Sequence, residues 1–185
     1  MILSLKVIVF IVISVYLAFL TRKSLSSFRR HGFYRFLAWE MILILFLMNV
    51  GYWLKNPGSG YQVISWLLLF ISLYPVIDGF RLLRSAGHQN KARADEGLLE
   101  FEKTDHLVTS GIYRYIRHPL YASLLYLAWG IFFKHPSPAG FVLALAASLF
   151  LTLTAKAEEA ENISFWGDTY RQFMSRTKMF FPYIY

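Results

Sequence analysis

Five runs of apolar residues, each bounded by polar or basic sequence, leave this chain few ways to fold. They are Ile2 to Leu20, Phe36 to Leu54, Tyr61 to Phe80, Pro119 to Phe133 and Pro138 to about Ala157. Crossing the hydrocarbon core of a bilayer, roughly 30 Å thick, takes about 20 residues of helix. In lipid, only helices and closed barrels satisfy every backbone polar group internally. Lys6 alone interrupts the first run, near enough to its end to snorkel. The fourth run is short, and "KHPSP" joins it to the fifth as a helical hairpin. The expected fold is therefore all-α, a polytopic membrane helical bundle with about five transmembrane helices. Residues 1–185 read as one integral-membrane domain, with three spans in 1–80 and a loop, hairpin and tail in 81–185. Composition agrees: 56% of residues are hydrophobic and 16% charged, more apolar than a soluble core of this size absorbs.

The basic residues test the topology. Arg22, Lys23, Arg29, Arg30 and Arg35 lie between the first two runs, and only Lys55 lies between the second and third. Seven more stand between the third and fourth, from Arg81 to Arg117. The hairpin turn has Lys134 alone, and the tail has Lys156, Arg171, Arg176 and Lys178. By the positive-inside rule this alternation puts the N-terminus outside and the C-terminus in the cytoplasm. It also accounts for most of the net charge of +8, so no nucleic-acid partner is implied. The basic flank "TRKSLSSFRR" after the first run, which has no small-x-small cleavage site, reads as a retained anchor rather than a signal peptide. Cysteine is absent, which removes disulfides, thiolate metal sites and cysteine nucleophiles.

Two polar clusters sit where the chain meets the apolar phase on the cytoplasmic side. In "GIYRYIRHPLY", residues 111–121, Pro119 suits the first position of a helix with His118 as its N-cap. The helix-start amides, with Arg117 and His118 beside them, would attract a carboxylate or phosphate. Tyr113, Arg117 and Tyr121 share a face if the turn is helical. An interfacial anchor of arginine and tyrosine is the competing reading. In "AKAEEAEN", Glu158 and Glu161 would share a helical face while Glu159 points elsewhere. Carboxylates at a helix C-terminus oppose the macrodipole, which points to function; a solvated helix end is the alternative. Glu40 and Asp78 are intramembrane or edge acids, either functional or paired with Arg35 or Arg81. The five histidines show no metal spacing, and neither a nucleotide-binding glycine loop nor a nucleophile elbow is present. The aromatic tail reads as a segment lying at the interface or folded back over the bundle.

"HLVTSGIYRYIRHPLY" at 106–121, "EE" at 158–159 and "FWGDTY" at 165–170 together resemble the C-terminal core of the isoprenylcysteine carboxyl methyltransferases and their phospholipid N-methyltransferase relatives. The small size resembles the prokaryotic integral-membrane members. The resemblance covers about the last 80 residues; before that only hydropathy agrees. It implies S-adenosylmethionine as methyl donor, bound at the cytosolic face. It also implies donor contacts at Asp105, His106, Leu107 and Val108, at Tyr113, at His118, Pro119, Leu120 and Tyr121, and at Glu158. Donor chemistry extends these to Arg117, for the donor's carboxylate, and Glu159, for its ammonium or ribose. The acceptor is expected to be a lipophilic or lipid-modified molecule entering from the bilayer, with the tail from Phe173 to Tyr185 closing the pocket. Direct displacement needs no metal and no enzyme nucleophile, and Glu158 is the one side chain that could assist as a base. Eukaryotic isoprenylcysteine methyltransferases carry an arginine where this chain has Thr154, so a lipid amine or other headgroup stays open beside a prenylcysteine carboxylate. An NADPH-dependent membrane reductase of the sterol type and a non-catalytic scaffold are the rival readings.

Overall fold

The computed structural model describes residues 2–25, 30–86 and 106–184. Among these residues there are six α-helices and no strand. Helix α1 is Ile2–Leu25 and α2 is His31–Asn49, extended by a 3-10 turn at Val50–Tyr52. Helix α3 is Gly60–Ala86; a 3-10 turn at Gly111–Arg114 precedes α4, Pro119–Phe132. Helix α5 is Pro138–Trp166 and α6 is Asp168–Arg176. Four of these helices are long and apolar enough to cross a membrane, and α4 is a shorter apolar helix. The molecule is an all-α polytopic membrane bundle.

Helix ends follow local chemistry more closely than hydropathy. Pro138 occupies the first turn of α5, and Ser137 Oγ accepts the Gly140 N–H at 3.1 Å, a standard N-cap. Helix α5 runs nine residues past the expected end at Ala157, because glutamate, alanine and asparagine continue a helix that apolar counting cannot see. It stops at Gly167, whose φ of 57° few other residues adopt. At about 1.5 Å per residue, α5 is about 43 Å long and outreaches a bilayer core, whereas α4 is only about 21 Å. Helix α2 likewise begins at His31 rather than Phe36, and α3 continues beyond Phe80 to Ala86.

The helices are held by close contacts between small residues. Ala144, Ala147, Leu151 and Ala155 of α5 are fully buried, as are Ala38 and Leu45 of α2, so the two helices approach closely. Helices α3 and α4 meet at Gly130, where an added Cβ would lie 2.9 Å from the Leu69 side chain. Helix α1 packs on α2 and turns most of its apolar surface outward. Of the intramembrane acids, Glu40 Oε2 accepts the Ser14 hydroxyl at 2.7 Å, and Asp78 Oδ2 accepts the Ile112 N–H at 3.1 Å. At the far end of the bundle Lys134 is buried, its Nζ 3.1 Å from Gln62 Oε1 and 3.4 Å from the Trp66 ring centre. Burial lowers the proton affinity of that amine.

Candidate functional site

The elbow before α4 depends on one glycine. Gly111 has φ +56°, and a Cβ there would sit 2.4 Å from Leu82 Cδ1. The turn it permits delivers the Ile112 N–H to Asp78. The chain does not continue as a helix through Arg117, as the spacing of Tyr113, Arg117 and Tyr121 allowed; after Arg114 it turns into a short irregular stretch with one parallel bridge, Ile116 to Lys178. That stretch pairs with the tail, which folds back over the bundle. Lys178 N–H donates to Tyr115 O at 3.0 Å, Arg117 N–H to Lys178 O at 2.9 Å and His118 N–H to Met179 O at 3.2 Å. The pairing uses up the backbone donors just ahead of α4, so the helix can begin at Pro119 although His118 makes no side-chain cap bond.

The elbow and the α5 carboxylates, 37 or more residues apart in sequence, meet in space. Glu159 pairs with Arg117 Nε and lies 3.3 Å from His118 Nε2. Arg117 Nη1 also donates to Thr177 O at 2.7 Å, which joins elbow, α5 and tail in one clamp. Glu158, on the next side of the helix, accepts the Tyr121 hydroxyl at 2.5 Å and lies 4.0 Å from His118 Nδ1. Glu161, one turn on, accepts from His31 of α2, with Nδ1 at 2.6 Å and the backbone N–H at 3.2 Å. A carboxylate thus stabilises the otherwise uncapped start of α2.

Between elbow, α5 and α6 lies a partly open cavity, with about 620 Å³ of non-atom space when the open solvent at its mouth is included. Nine of the twelve residues proposed from sequence line it: Leu107, Val108, Tyr113, Arg117, His118, Pro119, Leu120, Tyr121 and Glu158. Three do not. Glu159 turns to Arg117, which itself lines the cavity, and is not among the lining residues. His106 is exposed and off the wall, and Asp105 lies outside the described residues. The sequence reading missed Leu83, Asn162, Trp166 and Tyr170 and placed Phe173 only in the closing tail; all five line the cavity. Asn162 and Trp166 repeat Glu158 at four-residue steps along α5, a signal visible in sequence once α5 is known to run to Trp166. Trp166 stacks on Tyr170 with ring centres 5.9 Å apart. Burial, with the charge of Glu158 nearby, raises the Tyr170 phenol well above its ordinary value.

The arrangement combines one accessible carboxylate, a helix start whose first amides have no partner within the helix, and a wall of aromatic rings. Among the described residues no cluster of three metal-ligating side chains occurs.

Residues 82–168 match the phospholipid methyltransferase family. The chain is 38% identical over 85 residues to the protein-S-isoprenylcysteine O-methyltransferase of Schizosaccharomyces pombe, covering 43% of this chain and 35% of that protein. It is 28% identical over 120 residues to methanethiol S-methyltransferase 1 of Bradyrhizobium diazoefficiens, covering 64% and 39%. The mouse protein-S-isoprenylcysteine O-methyltransferase is 33% identical over 90 residues, covering 47% and 32%. These matches span about a third of the length of the curated relatives. No solved structure matches the chain.

Proposed function

We propose that the chain is a membrane methyltransferase using S-adenosylmethionine and a lipophilic acceptor, a reading supported by the match of residues 82–168 to the phospholipid methyltransferase family and by the similarity to isoprenylcysteine O-methyltransferases. The observation that carries the reading is the meeting of the RHPLY elbow with Glu158 around one cavity. Glu158 would hold the donor's ammonium, the first-turn amides at Leu120 and Tyr121 its carboxylate, and the Trp166–Tyr170 stack its adenine. When bound, the donor supplies an electrophilic methyl group. His118, held between Glu158 and Glu159, and Tyr121, bonded to Glu158, keep that carboxylate in place. The tail from Thr177 to Phe180 covers the elbow, with the Phe180 ring 6.3 Å from that of His118, and excludes water.

The acceptor has its own approach. A shallow apolar groove runs between α2 and α4, lined by Trp39, Ile42 and Phe46 on one side and Leu124, Leu127 and Ile131 on the other. At one end the Arg35 guanidinium lies 5.3 Å from the Trp39 ring centre and within electrostatic reach of Glu158. A lipid tail in this groove would bring its headgroup toward the cavity. The alternation of basic residues supports a cytoplasmic cavity and an external N-terminus. Arg117 is the one arginine or lysine among the cavity's described lining residues, and Glu159 already pairs it. That supports a small zwitterionic donor over a phosphate-bearing nicotinamide cofactor.

Calorimetry on the protein in nanodiscs tests the reading. S-adenosylhomocysteine should bind and NADPH should not, and labelled S-adenosylmethionine should transfer its methyl group to a lipid extract. Binding of NADPH alone would replace this reading with the reductase.

A further inference from the structure

Helix α4 is too short for a bilayer. At about 21 Å it falls about 9 Å short of a hydrocarbon core roughly 30 Å thick. Its far end has the composition of an interface. Lys134 Nζ lies 3.4 Å from the Trp66 ring centre and 5.3 Å from that of Trp53, and the Tyr52 and His135 rings meet at 3.8 Å. Tryptophan and tyrosine gather in this way where lipid gives way to water. The shortfall therefore falls at the other end, where the irregular elbow precedes Pro119. Irregular backbone at that depth is tolerated only when protein satisfies its polar groups. In the elbow the Tyr115 and Ile116 amides donate to Ile112 O, and those of Arg117 and His118 to the tail carbonyls of Lys178 and Met179. The Lys178 amide donates in return to Tyr115 O.

The tail then sets apolar side chains on the outside of this backbone. Phe181 packs edge-on against Tyr126, two turns into α4, with ring centres 5.7 Å apart. Tyr183 is 82% exposed and Ile184 81%, and the Tyr183 ring lies 6.2 Å from that of Tyr115, itself 44% exposed. Arg114 and Lys178 stand exposed close by in the chain and form no ion pair among the described residues. We propose that Tyr115, Tyr183 and Ile184 dip into the bilayer surface, with Arg114 and Lys178 on anionic phospholipid headgroups, and that this contact fastens the tail over the elbow. Aromatic rings beside basic side chains are the composition of an interfacial anchor. In the orientation proposed above the leaflet is the cytoplasmic one, where anionic lipids concentrate. The stretch that carries the anchor also carries Phe180, whose ring stands 6.3 Å from that of His118 in the cavity wall. Lipid contact and cavity are thus joined through a few residues of one chain segment.

The test uses the full chain in nanodiscs of phosphatidylcholine and phosphatidylglycerol in equal parts. Since the chain has no cysteine, Ile184→Cys and Ser175→Cys each accept one environment-sensitive dye, and both positions are exposed, so neither change disturbs packing. The Ile184 dye should emit as in an apolar medium and be quenched by a phospholipid with a nitroxide near the top of its acyl chain. The Ser175 dye should do neither. Amide exchange at Lys178 and His118 reads the fastening. It should quicken about 10-fold in Tyr183→Ser/Ile184→Ser, and likewise in the wild-type chain when phosphatidylcholine replaces the anionic lipid. A water-like, unquenched Ile184 dye overturns the inference. So does quenching between dyes on two chains without quenching by lipid, which assigns the face to a second copy. Lipid quenching with unchanged amide exchange overturns the fastening. Neither readout involves the methyl donor, so the methyltransferase reading stands or falls apart from them.

Discussion

Replacing Glu158 by glutamine removes one negative charge from the cavity and changes little else. The side chain is 20% exposed, and its Oε2 accepts from Tyr121 at 2.5 Å, a bond the glutamine carbonyl can also accept. Shape and the hydroxyl contact therefore survive, while attraction for a ligand ammonium is lost. A hydrogen bond to a charged group is worth about 1.5–3 kcal/mol, which at 1.36 kcal/mol per decade becomes about 10- to 160-fold in Kd. Calorimetric titration of Glu158→Gln with S-adenosylhomocysteine should show a loss in that range, with thermal unfolding little changed. Glu159→Gln is the internal contrast. It leaves the partly buried Arg117 guanidinium facing a neutral amide, and since breaking a fully buried pair from one side costs about 3–5 kcal/mol, this change should cost somewhat less than that. Its melting temperature should fall even where binding is retained. Equal effects of the two changes on binding, or a loss below about threefold (about 0.65 kcal/mol) for Glu158→Gln, would refute the division between ligand carboxylate and structural clamp.

Gly111→Ala forces a left-handed conformation costing about 1–2 kcal/mol and drives a methyl into Leu82, so it should lower thermal stability and weaken donor binding together. Tyr170 is held neutral by burial, so its contribution to stability is complete below the ordinary tyrosine range and declines as pH rises above about 10. Melting curves from pH 8 to 11 should therefore fall less steeply for Tyr170→Phe than for the wild-type chain. Since the chain has no cysteine, Lys55→Cys and Ser175→Cys supply single labels. An impermeant maleimide should reach the first from outside the cell and the second from the cytoplasmic side only, and the reverse would invert the topology.

Some of this molecule was legible without coordinates. Runs of Leu, Ile, Val and Phe longer than a soluble core absorbs admit a helical bundle or little else, since lipid offers no partner to a bare backbone amide. Pro119 announced the start of α4, because proline lacks the N–H that a first turn leaves unused. The polar reach of α5 was not legible, because hydropathy stops counting at the first glutamate while helix propensity does not. That error hid Asn162 and Trp166, which follow Glu158 on the same face.

Pairings between distant segments belong to the tertiary structure alone. No local rule makes Glu159 choose Arg117, Glu158 choose Tyr121 and Glu161 choose His31, although the three carboxylates lie within four residues of one another. Each faces a different neighbour because successive helical positions turn by about 100°, and the helix packed on each side is set by the close fit of alanines and glycines far from the site. Composition and periodicity determined that the chain would be helical and membrane-bound. Packing decided which acid faces a ligand, which one braces an arginine and which one holds a histidine.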